Sequence, residues 1–122
     1  VLVRYKRDYQ KIAMGFLSFE PDLKDLANLK TELDLYINDE GHALYLYKEE
    51  ADIKCNFSGI VGIETGPDFV LVRHLDMAPS NRTDADYAAV LDELSAKVAP
   101  SKIMGSIAIT PVIMRWEEAK KG

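Results

Sequence analysis

Hydrophobic residues change their spacing several times along this chain, and each change marks an element. Val1-Leu2-Val3-Arg4-Tyr5-Lys6-Arg7 alternates apolar with basic residues and predicts a first strand. Asp8 can cap a helix from about Tyr9 to Phe19, in which Ile12, Phe16 and Phe19 recur at helical spacing until Glu20-Pro21 stops it. Leu23, Leu26, Leu29, Leu33 and Tyr36/Ile37 then step by three or four. They predict a second helix, capped by Asp22 or Asp25 and closed by Asn38-Asp39-Glu40-Gly41.

The period then shortens to two. Ala43–Glu49, Gly59–Thr65 and Phe69–Met77 predict three strands, separated by Glu50-Ala51-Asp52 with Asn56-Phe57-Ser58 and by Gly66-Pro67-Asp68. They form an antiparallel meander. Tyr45 and Tyr47 lie opposite Leu44 and Leu46, and strand alternation explains them without a binding role. Val70, Leu71, Val72, Leu75 and Met77 leave the third strand little room for a solvent face, so it reads as central.

From Thr83 the helical period returns, with Tyr87, Val90, Leu91, Leu94 and Val98 on one stripe and Pro100 past its end. Thr83 and Asp86 have the spacing of a capping box. Lys102–Ile109 predicts a strand, parallel to Phe69–Met77 if the helix between them is a right-handed crossover. Thr110 would cap, and Pro111 open, a short last helix that buries Val112, Ile113 and Trp116, leaving Glu117 to Gly122 solvated.

Composition narrows the class. The chain has 122 residues, 48% hydrophobic and 29% charged, which suits one core and one domain over residues 1–122 of an α/β type with a mixed sheet. A net charge of −5 provides no basic face for DNA or RNA. No apolar run is long enough for a membrane helix, so no membrane partner is expected. Cys55 is the only cysteine: no internal disulfide can form, the thiol has no activating neighbour in sequence, and a reducing cytoplasm fits. With His42 and His74 as the only histidines, no zinc cluster and no bound metal are expected.

The chemistry concentrates in Arg73-His74-Leu75-Asp76-Met77-Ala78-Pro79-Ser80-Asn81-Arg82, a strand ending in a turn before a helix. A helix N-terminus behind Arg82 is a frame for an anion. In an unbulged strand His74 and Asp76 share one face, opposite Arg73. His74 is the candidate general base, because an imidazole ordinarily titrates near pH 6.5.

This β-α-α-β-β-β-α-β-α order resembles the GCN5-related N-acetyltransferase (GNAT) superfamily. More narrowly, Arg4-Tyr5-Lys6, Lys11-Ile12-Ala13-Met14-Gly15-Phe16-Leu17-Ser18-Phe19, Arg73-His74 and Pro79-Ser80-Asn81-Arg82 resemble the short RibT proteins encoded with bacterial riboflavin-biosynthesis genes. The resemblance implies a wedge for acetyl-CoA. The backbone of Leu75, Asp76 and Met77 would face the pantetheine, and the pyrophosphate would sit on an Arg/Gln-x-x-Gly-x-Gly/Ala loop. Here that loop is matched by Arg82, Thr83, Asp84, Ala85, Asp86 and Tyr87. Ala85 and Tyr87 stand in the places of the two glycines, and Asp84 and Asp86 bring negative charge where phosphate would come. Trp116 stands on the helix that carries the superfamily's tyrosine acid. Two strands that follow this helix in the superfamily are not in the chain. The fold is thus expected to be truncated at the C-terminus, with a second copy covering the open edge in a homodimer.

Two functions follow from the resemblance: a RibT-like N-acetyltransferase with an unidentified small-molecule acceptor, linked to riboflavin biosynthesis, or a catalytically impaired GNAT-like domain kept for binding or regulation.

Overall fold

The computed structural model describes residues 1–52 and 54–121; Gly122, at the end of the solvated segment read above, lies outside them. The elements follow as β1 (Leu2–Arg4), α1 (Gln10–Leu17), α2 (Leu26–Asn38), β2 (His42–Tyr47), β3 (Gly59–Thr65), β4 (Phe69–Met77), α3 (Asp84–Val98), β5 (Lys102–Gly105) and α4 (Thr110–Lys121). Single 3-10 turns precede α1 at Arg7–Tyr9 and α2 at Pro21–Leu23. One sheet runs in the order β1-β2-β3-β4-β5, antiparallel except for the parallel pair β4/β5. β4 is therefore an interior strand, but β3 occupies the middle of the sheet.

Strand alternation divides the core. Tyr45, Tyr47, Val61, Ile63, Val70, Val72, Leu75 and Met77 project toward Val90, Leu91 and Leu94 of α3 and Ile113 and Trp116 of α4. Leu44, Leu46 and Ile60 project the other way, against Ala13 and Leu17 of α1 and Leu29, Leu33 and Tyr36 of α2. Each face of the sheet is thus covered by a helical pair, which hydrophobic burial on both sides of a pleat demands. Tyr36 packs onto the sheet at Gly62, and glycine there makes this possible, since a methyl would overlap the Tyr36 hydroxyl.

Several elements depart from the periodicity reading. The buried stripe of α1 is Ala13 and Leu17, while Ile12 and Phe19 are 41% and 46% exposed. No side chain caps α1; its Ncap is Tyr9, and Asp8 lies in the preceding turn. Asp25 is the cap of α2, its Oδ1 accepting from the Ala27 N–H at 2.7 Å. β5 stops at Gly105, four residues short of the predicted Ile109. The chain turns there, because the N–H groups of Ile109 and Thr110 both bond the Ser106 carbonyl at 3.0 and 2.9 Å. Thr110 does not cap α4: its hydroxyl donates backward to Ser106 O at 2.8 Å and Gly105 O at 3.1 Å. The helix itself continues through Glu117–Lys121.

Candidate active site

β4 carries a bulge, and the bulge organises the site. Gly62 pairs with His74 and Ile63 with Val72, so Arg73 is the extra residue. The phase of the strand slips there. Val70 and Val72 before it and Leu75 and Met77 after it all face α3, which leaves Arg73 and His74 together on the opposite side. An unbulged strand would have separated them, as the sequence reading expected. His74 and Asp76 still share a face, and with Arg73 they meet residues from α2 and from the turn after α1.

Those residues are Glu20 and Glu32. His74 Nδ1 lies 2.8 Å from Glu20 Oε2, and Nε2 lies 3.1 Å from Glu32 Oε2. Arg73 Nη1 donates to the same Glu32 oxygen at 3.2 Å. The imidazole is 7% exposed and lies edge-on to the Tyr36 ring at 5.7 Å. Its orientation is fixed on three sides. Burial pulls the Glu32 carboxyl upward, but hydrogen bonding to His74 and the Arg73 charge outweigh it and hold the group below its ordinary value.

Glu20 also meets Asp76, and two carboxyl groups can bond only through a proton. Burial, then the Glu20 contact, push the Asp76 carboxyl up to about 9. Glu20 moves the other way: burial raises it, but hydrogen bonds with His74 and Asp76 prevail and hold it low. Together the pair keeps one proton near neutrality, and it resides on Asp76. Asp76 Oδ2 is buried with no partner among the described residues. One donor atom each from Glu20, His74 and Asp76 lie within 4.8 Å of one another. The sequence reading saw no such cluster around the two histidines, because Glu20 is 54 residues from His74 and only the fold joins them.

The group opens on a cleft of about 740 Å³. Glu20–Leu23 form one wall, Arg73–Asp76 the floor and Ser106–Ile109 the far wall. The cleft exists because β4 and β5 part company: their pairing ends at Val72 and Gly105, while β4 continues to Met77. On this side Leu75, Asp76 and Met77 have no partner strand among the described residues. The early turn at Gly105, which periodicity missed, is what opens it.

The start of α3 is arranged differently from an open anion cradle. Thr83 and Asp86 form a capping box: Thr83 N–H donates to Asp86 Oδ2 at 3.1 Å, and Asp86 N–H donates to Thr83 Oγ1 at 3.2 Å. Arg82 does not point along the helix axis. Its Nε donates to the Met77 carbonyl at 3.0 Å and its guanidinium lies 4.8 Å over the Phe19 ring. Asp84 pairs with Arg115 of α4 at 3.2 Å. Ala85 is exposed. Tyr87 is half-buried in the core under α3 and lines a crevice with Val112 and Trp116, so it turns away from the loop and does not close it. For a CoA molecule the open strand edge and cleft fit the acyl end, whereas the phosphate end meets a capped helix rather than glycine amides.

Trp116 is buried against α3, its Nε1–H donating to Asp92 Oδ1 at 2.8 Å, and it does not line the cleft. Cys55 is half-buried with its thiol near the Asn56 carbonyl. The other histidine, His42, is held between Asp39 at 3.1 Å and Glu64 at 2.9 Å, joining the end of α2 to β3 away from the cleft.

The mixed sheet, whose single parallel pair splays beside an acid–base cluster, defines an α/β fold. The chain is 40% identical over 83 residues to an uncharacterized N-acetyltransferase from the lysA 3′ region of Bacillus methanolicus. That match spans 67% of this chain and 66% of the relative, just under two thirds of its length. Among solved structures, the Vibrio cholerae spermidine N-acetyltransferase in complex with CoA and spermine superposes with a TM-score of 0.70 at 12% identity, covering 98% of this chain and 78% of that one. A probable acetyltransferase gives 0.68 at 10% identity, with 98% and 87% covered. A transcriptional regulator from Bacillus halodurans gives 0.63 at 8% identity, with 98% and 90% covered. No protein-family model matches the chain. The fold is that of the GNAT acetyltransferases. No helix among the described residues is long and apolar enough to cross a membrane.

Proposed function

We propose that this chain is an N-acetyltransferase that uses acetyl-CoA to acetylate a small amine. One observation carries the reading: the unpaired edge of β4 lies beside a cleft whose floor holds His74 between Glu20 and Glu32. The acetyl thioester supplies an activated acyl carbon. The open edge at Leu75–Met77 offers backbone groups to an extended pantetheine, as an added strand would be received. The remaining chemistry belongs to the protein. An amine must lose a proton to attack, and the Glu20 carboxylate, held by His74 at the cleft wall, is placed to accept it, with Arg73 and Glu32 fixing the imidazole. We further propose kinship with RibT proteins and a flavin-related setting, supported by the Lys11–Phe19 and Pro79–Arg82 words. A homodimer covering the outer edge of β5 completes the reading.

The capping box at Thr83 and Asp86 favours a second function, a binding or regulatory domain that no longer uses acetyl-CoA. Thermal-shift titration with CoA, acetyl-CoA and flavins separates the two. A ligand at 100 times its Kd stabilises the native state by about 2.7 kcal/mol. A rise in Tm with CoA and acetyl-CoA supports the enzyme, and no rise at millimolar acetyl-CoA overturns it in favour of the second function.

A further inference from the structure

We propose that Asp76 is the general acid of this chain, delivering its carboxyl proton to the departing thiolate. The inference rests on the acetyltransferase reading and assigns the role left open by Trp116, which is committed to Asp92 outside the cleft.

Three features of Asp76 fit the task. It lies on the stretch of β4 beyond the end of β5, where the strand edge is open to an extended ligand. It lines the floor of the cleft, where a ligand would meet it. Its other contact is Glu20, which in turn touches His74 Nδ1. The three groups form a continuous line across the cleft floor.

That line closes a proton circuit. The amine nitrogen attacks the thioester carbonyl carbon and forms the C–N bond, and its proton passes to the Glu20 carboxylate. As the C–S bond breaks, its electron pair goes to sulfur, which takes the proton from Asp76. Asp76 is left ionised beside the newly protonated Glu20, and proton transfer across the Glu20–Asp76 contact restores the starting state. One proton has moved from amine to thiol, and no other reactant is needed. The charged groups around Asp76 are Glu20 on the turn after α1, His74 on its own strand and Arg82 from the turn before α3; Arg73 and Glu32 complete the shell around His74. A buried carboxylic acid that keeps its proton at pH 7 has the thermodynamic poise such a donor requires.

Two measurements test this. Carbon-13 NMR of protein labelled at Asp carboxyls, with the Asp76 signal assigned by its loss in Asp76→Asn, should show Asp76 protonated at pH 7; an ionised Asp76 there overturns the proposal without reference to any ligand. Acetyl transfer to ethylamine is then compared for two donors, acetyl-CoA and S-phenyl thioacetate, whose thiolate leaves without needing a proton. Asp76→Asn should lose about 10²–10⁴-fold with acetyl-CoA and less than about tenfold with the aryl thioester, as expected when only the leaving-group proton is missing. An equal loss with both donors means a structural role and overturns the proposal alone. If the wild-type protein shows no Tm response to acetyl-CoA, the acetyltransferase reading fails and the proposal falls with it.

Discussion

Replacing Asp76 by Asn should change how stability depends on pH, and the size of the effect follows from the site. In an unfolded chain Asp ionises near pH 3.9, whereas burial and the Glu20 contact push Asp76 up to about 9 in the folded protein. Between those values the native state holds one proton that the unfolded state has released. Stability conferred by the neutral carboxyl is full below the unfolded value and is lost as pH rises toward 9. The slope for one proton is about 1.4 kcal/mol per pH unit, so wild type should lose about 2.7 kcal/mol at this group between pH 6 and pH 8. Glu20 has the opposite sign. It is held below its ordinary value, so its contribution is present above that value and lost as pH falls; it does not change between pH 6 and 8.

The amide introduced by Asp76→Asn carries no titrating proton, and it can donate to Glu20 as the acid does. The difference in Tm, variant minus wild type, should therefore rise with pH. With an unfolding entropy of about 2.1 cal/mol/K per residue, 1 kcal/mol corresponds to roughly 4 °C in a chain of this length. The difference should grow by about 5 °C per pH unit between pH 6 and 8. Differential scanning calorimetry at half-unit intervals measures it. A difference that stays constant across that range would refute the shared-proton argument, because an Asp76 already ionised at pH 6 gives no slope.

The other predictions concern packing. Gly62→Ala places a methyl on the Tyr36 hydroxyl and ring, and should cost about 1–3 kcal/mol in denaturant unfolding; an unchanged midpoint would mean that Tyr36 does not sit against β3. Gly15→Ala should do the reverse. Nothing lies within 4 Å of an added Cβ in α1, so the helix should gain roughly 0.5–1 kcal/mol, and a loss would show an unseen contact on that face. Trp116→Phe removes the bond to Asp92 and should cost about 1 kcal/mol with the rate of acetyl transfer unchanged; a fall in rate at equal stability would return Trp116 to the mechanism.

Sequence periodicity recovered β3 and β4 to the residue, because each is fully patterned and bounded by turn residues. It misassigned the buried face of α1. Ile12, Phe16 and Phe19 outweigh Ala13 in any hydrophobic count, yet Ala13 is fully buried, since a small side chain lets the helix approach the sheet. Bulk was mistaken for burial. The end of β5 was missed for a related reason: Ser106-Ile107-Ala108-Ile109 looks like strand, but Ile107 is 95% exposed and the backbone turns on the Ser106 carbonyl. His74 was legible as a candidate base from its place on an apolar strand. Its partners were not legible, because Glu20 and Glu32 carry no pattern that marks a polar residue as facing inward. The bulge at Arg73 was equally hidden, since no glycine announces it. These features of low sequence signal are the ones that assemble the cleft.

The loss of glycines before α3 weighs less against CoA than the sequence suggested. Tyr87, the bulkiest of the changes, packs toward α4 and leaves the approach open. A helix start has four N–H groups without helical partners; the capping box takes those of Thr83 and Asp86, which leaves the amides of Asp84 and Ala85 outside it. Displacing a cap of this kind costs about 1 kcal/mol, and the Asp84 charge is already paired with Arg115. A penalty of about 1 kcal/mol is roughly a fivefold loss of affinity. Such a loss weakens a cofactor site without abolishing it. The enzyme reading therefore turns on the cleft at the other end, where the Glu20–Asp76 proton and the open edge of β4 would meet the acyl group.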